Sequence, residues 1–130
     1  MQLPQENALK SFLLGITLVA ATAIAPGQSG NAFPPSSVSV TAAELTAYLS
    51  GKTFRATYAN GTTVQSKFGA DGSLAATATG FYDTGKWRAE DGKLCGSLRK
   101  VGEFCNEARF VDGILYLRRM NGEVIHYEAE

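Results

Sequence analysis

Few residues in this 130-residue chain have the chemistry to act on a substrate, and their spacing restricts what they can do. His126 is the single histidine. General-base work needs a nucleophile and an orienting partner beside it. No serine or cysteine is arranged with His126 and a carboxylate in a recognisable order, so it reads as a surface or half-buried strand residue beside Val124 and Glu128. Asp71, Asp83, Asp91 and Asp112 are all expected in turns. Calcium requires about six to eight oxygens gathered within one loop. Each turn here offers one aspartate, which turn chemistry explains. Arg118 and Arg119 point in alternate directions if they lie on a strand, so a solvated face with a salt bridge accounts for them. No metal or cofactor site follows from these residues.

Cys95 and Cys105 are the two cysteines. With one distant histidine they fall short of a metal site. In an exported domain they imply one disulfide. They lie on neighbouring predicted strands, and a short turn around Lys100 sets them opposite each other. A directly opposed, non-hydrogen-bonded pair brings the Cα atoms close enough to bridge.

The segment Gly80-Phe81-Tyr82-Asp83-Thr84-Gly85 is expected to be the longest link between strands. Its two adjacent aromatics cannot both reach the core easily. Binding function concentrates on such loops, and exposed aromatics favour interfaces. Phe81 and Tyr82 are therefore the candidate binding residues. The alternative is that one ring plugs the barrel mouth while the other covers the helix. Trp87, on the next strand, reads as core with its indole N–H bonded to backbone.

The elements that must carry these residues are written in turn signals. Asn60-Gly61, Asp71-Gly72, Asp91-Gly92, Asp112-Gly113 and Asn121-Gly122 each precede a short run of strand-forming residues. Such dipeptides favour type I′ hairpin turns, which need positive φ at both central residues. The predicted strands are Lys52–Ala59, Thr62–Phe68, Ser73–Thr79, Thr84–Glu90, Lys93–Arg99, Glu103–Phe110, Gly113–Met120 and Glu123–Glu128. The links are too short for crossover helices, so neighbours pair antiparallel. Open edges are a liability that closure removes. The expectation is mainly β: an antiparallel up-and-down barrel of about eight strands with one short N-terminal helix. A two-sheet sandwich is the alternative. Thr41 to Ser50 forms that helix: Thr41 and Glu44 make a capping box, Leu45, Tyr48 and Leu49 share a face, and Gly51 suits the C-terminal cap.

Upstream, Lys10 precedes the apolar stretch Phe12 to Ala25, too short for a comfortable membrane span and the right length for a secretory signal. Ala23-Ile24-Ala25 resembles a signal-peptidase site. Pro26 fits poorly after that cut, so cleavage after Ala23 or Ala32 is the alternative. The expected organisation is a signal peptide over 1–25, a flexible Pro/Gly/Ser-rich linker over 26–40 and a barrel domain over 41–130. The expected location is periplasmic or secreted, with no stable membrane span after processing. Twelve basic and twelve acidic residues give zero formal net charge, which points away from nucleic acid or an anionic membrane as a partner.

Leu49-Ser50-Gly51-Lys52-Thr53, Phe68 to Gly72, Gly85-Lys86-Trp87-Arg88 and Asp91-Gly92-Lys93-Leu94-Cys95, followed by the second cysteine, resemble a group of small exported proteobacterial proteins of unknown function. The resemblance spans Thr41 to Tyr127 and implies a compartment and a barrel, with no reaction attached. The arrangement is also similar to small periplasmic barrels that inhibit secreted proteases or lysozymes, by analogy of fold. The expected function is a non-enzymatic binding module of the cell envelope, its partner an envelope protein or a small apolar ligand. An inhibitor of a hydrolase is the alternative, and a small hydrolase comes last.

Overall fold

Residues 32–130 are described by a computed structural model of the chain. The expected signal peptide, and the expected linker as far as residue 31, lie outside them. Strands alternate with tight reversals: β1 (Val38–Ser39), α1 (Ala42–Leu49), β2 (Lys52–Thr57), β3 (Thr63–Phe68), β4 (Ser73–Ala78), β5 (Phe81–Glu90), β6 (Lys93–Leu98), β7 (Gly102–Val111), β8 (Ile114–Arg118), β9 (Val124–His126) and β10 (Glu128–Ala129). Each strand from β2 to β8 pairs antiparallel with the next in sequence, and β10 pairs with β2. Because only Tyr127 separates β9 from β10, the last strand is shared between β8 and β2. The sheet is therefore nearly closed into a barrel.

Ten strands replace the expected eight for two reasons. The final strand breaks at Tyr127 as it changes partners, and a short β1 is added. Val38 and Ser39 pair with Phe110 and Arg109 of β7. The carbonyl of Val40 then accepts the amide of Gly92 at 2.8 Å, and Val40 itself is buried. The stretch expected to be linker up to residue 40 thus has its last residues built into the sheet. The segment Gly80–Gly85, expected to be a loop, is also strand. Ala78 pairs with Phe81, leaving only Thr79 and Gly80 to turn the chain.

Turn chemistry differs from expectation in detail. All five Asx-Gly glycines have positive φ, but Asp112 is the only non-glycine residue that does among those described. The two-positive-φ turn is thus confined to Asp112-Gly113. At three other turns the Asx side chain works differently. Asn60, Asp71 and Asn121 each accept the amide two residues further on, from Thr62, Ser73 and Glu123. This Asx-turn geometry fixes the chain without left-handed backbone at the first position.

Helix α1 caps one end of the barrel. The Thr41–Glu44 capping box is present, and the amide of Ala42 donates to Asp91 Oδ1 at 2.8 Å, tying the helix start to the β5–β6 turn. An acidic acceptor there suits the positive end of the helix. Leu45 and Leu49 are fully buried, and Tyr48 stacks on Phe54. Beneath the helix, the rings of Phe54, Phe68, Trp87 and Tyr127 pack edge-on, stacked or tilted. The Trp87 indole donates to the carbonyl of Gly69 at 2.9 Å, as its environment demands. At Gly85 the neighbouring strand leaves no room for a side chain: a Cβ would stand 1.8 Å from the carbonyl oxygen of Ser97. Strands β5 and β6 press together there only because residue 85 is glycine. No helix among the described residues is long and apolar enough to cross a membrane.

Candidate functional site

The end of the barrel opposite α1 is not filled. Inward positions alternate along each strand, and toward this end they become small: Ala76 and Ala78 on β4, Ser66 and Val64 on β3. Small residues facing one another cannot fill the lumen, and a cavity of about 440 Å³ remains. Its wall is mostly apolar, from Phe68, Leu74, Leu98, Phe104, Leu117 and Ile125, and its mouth is rimmed by Phe81, Val101 and Met120. This is the size and character of a small-molecule site. A shallower, polar hollow of about 650 Å³ lies on the outer wall over β2 to β5, lined in part by Lys52, Lys67 and Tyr82. Its wall is less apolar.

Polar groups enter the inner cavity at one corner. Arg119, just past β8, lies with its guanidinium 3.7 Å from the centre of the Tyr58 ring and 2.6 Å from Glu123 Oε1. Glu123 also accepts the amide of Ala59. The Tyr58 hydroxyl has a raised pKa, first because of burial and also because of the Glu123 charge, with Arg119 opposing both. Asn106 projects inward from β7 between Phe104 and Ala108, and its Oδ1 is buried with no hydrogen-bond partner. A buried amide oxygen without a donor costs free energy. Deeper, Tyr127 bonds to Ser66, and burial pushes its hydroxyl well above the usual phenol range.

The two candidate binding residues separate. Phe81 faces inward at the mouth, where Lys100 Nζ stands 5.8 Å from its ring. Tyr82, its neighbour, points to the outer wall and is 56% exposed. Strand alternation divides a pair that a loop would have kept together.

Asp83 is 2% exposed and organises the mouth. Its Oδ2 accepts the amides of Lys100 and Val101, and its Oδ1 that of Thr84. Burial alone would raise its pKa, but these amides and the Lys100 charge together hold it below the ordinary carboxylate range.

Cys95 and Cys105 are a directly paired couple across β6 and β7, with Cα atoms 4.0 Å apart and a disulfide between them. Glu90 lies beside the bridge in the cluster of three potential metal donors found among the described residues, but two of those donors are sulfurs bonded to each other. His126 is on the outer wall, 3.3 Å from Glu128 and beside the Tyr116 ring. The arginine pair divides as alternation requires. Arg118 bonds to Glu107 and faces Phe33 on the outer wall, and Arg119 turns to the cavity.

Asn106 belongs to no motif in the sequence. Its signal was a polar residue at an inward position of Phe104-Cys105-Asn106-Glu107-Ala108. No family model, no curated protein and no solved structure matches this chain, which leaves the cavity itself as the guide to function.

Proposed function

We propose that the protein is a non-enzymatic binding module of the cell envelope that takes a small, largely apolar ligand into the open end of its barrel. The supporting observation is the apolar cavity of about 440 Å³ with a mouth ringed by Phe81, Val101 and Met120. Val101 is 59% exposed and Met120 71% exposed, more apolar surface than a turn needs. A ligand would gain by covering such surface, at roughly 25 cal/mol per Å² removed from water. The exported location is part of the same proposal, supported by the leader-like stretch Phe12 to Ala25 and by the paired cysteines, since disulfides persist in oxidising compartments. The inhibitor alternative retains only the analogy of barrel shape.

The test is titration with N-phenyl-1-naphthylamine, a neutral apolar dye that fluoresces out of water. The expected result is saturable binding of one dye per protein. Ala78→Phe, which puts a ring into the lumen below the mouth, weakens binding at least about tenfold while the folded signal persists. Absence of saturable binding, or equal binding by the filled variant, overturns the proposal.

A further inference from the structure

Resting on the cavity assignment above, we infer that the ligand is an uncharged amphiphile: an apolar body with one neutral hydrogen-bonding head, such as an alcohol, primary amide or ester. Two observations at the polar corner carry this.

The first is electroneutrality. Arg119 is the cation that lines the cavity, and Glu123 already meets it at 2.6 Å. The pair is largely shielded, its side chains 29% and 15% exposed. The Tyr58 ring covers one face of the guanidinium, and the second oxygen of Glu123 is taken by the amide of Ala59. A carboxylate head would bring a second negative charge to a corner whose positive charge is spent. Unpaired charge away from water is strongly disfavoured. An ammonium head fares no better, since Glu123 is occupied and Arg119 repels it.

The second is the Asn106 carboxamide. Its Oδ1 has no partner, and the group lines the cavity two residues from Phe104 on β7, with Leu94 opposite it on β6. An amide carries both donor and acceptor, and turning it about its last torsion presents either end to the lumen. A neutral hydroxyl or amide head completes its hydrogen bonding, and a plain hydrocarbon leaves it wanting. In the register that pairs Glu107 with Arg118, Asn106 falls one step further along, opposite Arg119. The unpartnered amide and the neutralised ion pair thus form a single patch. The rest of the wall takes the chain.

The experiment measures displacement of bound N-phenyl-1-naphthylamine by octan-1-ol, octanamide and octanoate at pH 7. The alcohol and the amide are expected to displace the dye at concentrations about tenfold lower than octanoate. That ratio alone would follow from hydrophobicity, so Glu123→Gln supplies the discriminating arm. Freeing Arg119 should improve octanoate about tenfold relative to octan-1-ol. Asn106→Leu, similar in size, should weaken octanamide about fivefold relative to the dye, whose affinity is remeasured for that variant. Octanoate that competes as well as the alcohol in the native protein overturns the inference. So does an alcohol-to-acid ratio unmoved by Glu123→Gln, or an octanamide affinity unmoved relative to the dye's by Asn106→Leu. In each of these cases the dye still binds and the cavity assignment stands. A protein that fails to bind the dye at all loses both.

Discussion

The carboxylate of Asp83 lies beneath the β6–β7 turn and takes the backbone amide of Val101 at 3.0 Å, so a buried acid on β5 sets the position of an apolar residue at the cavity mouth. With the amides of Lys100 and Thr84 also bonded, the ionised form is favoured in the folded state. A lowered folded pKa means that stability is fully present above the unfolded carboxylate range and is lost as pH falls through the folded value. The native protein should therefore hold its urea midpoint through mildly acidic pH and lose it below the ordinary aspartate range. Asp83→Asn should be less stable at neutral pH, by about 5 °C or more in Tm, and should show a flatter acid profile. A variant with the native acid profile would assign the pH dependence to other groups.

Phe81 and Tyr82 should behave oppositely, though adjacent. Phe81→Ser removes part of the cavity rim and should weaken dye binding about threefold to tenfold, the effect of losing an apolar contact of this size. Tyr82→Ser changes the outer wall and should leave the dye titration unaltered. Equal effects would mean that the mouth extends around the barrel edge.

Gly85 should tolerate nothing larger. A methyl group there meets the Ser97 carbonyl oxygen at 1.8 Å and the Leu98 Cα at 2.8 Å, both backbone. Gly85→Ala should cost about 3 kcal/mol or more, measured by urea unfolding. Gly80→Ala, at positive φ but with open space around it, should cost only about 1 kcal/mol.

Replacing both Cys95 and Cys105 by alanine opens a loop whose ends are 10 residues apart. The chain-entropy cost of that loop is about 2–3 kcal/mol. The variant should unfold at lower urea concentration and still bind the dye, because neither cysteine lines the cavity.

Asp91→Ala removes the acceptor for the Ala42 amide and should cost about 1 kcal/mol, the usual worth of such a helix-start contact. Hydrogen exchange should quicken in α1 ahead of the strands, since the helix closes the barrel from one end only.

Much of this architecture is local chemistry, and local chemistry is written in the sequence. The capping box of Thr41 and Glu44, the turn at each Asx-Gly pair, the inward alternation of Phe54 and Ala56 and the opposition of Cys95 to Cys105 all depend on residues near one another in the chain or on one hairpin. Period-two patterning and short links leave antiparallel neighbours as the only arrangement. What the chain could not reveal in one dimension was decided by contacts across the barrel. Phe81 belongs to β5 because Ala78 offers it a partner, where glycines on either side had suggested a loop. Val38 to Val40 join the sheet because β6 turns back at Gly92 and leaves β7 a free side. The cavity has the same origin. Alanines on β4 and a serine on β3 are unremarkable one by one, and only closure sets them around a shared lumen, too small to fill it, with Asn106 and Arg119 at its polar corner. Volume is a property of facing walls, and no stretch of sequence contains both walls at once.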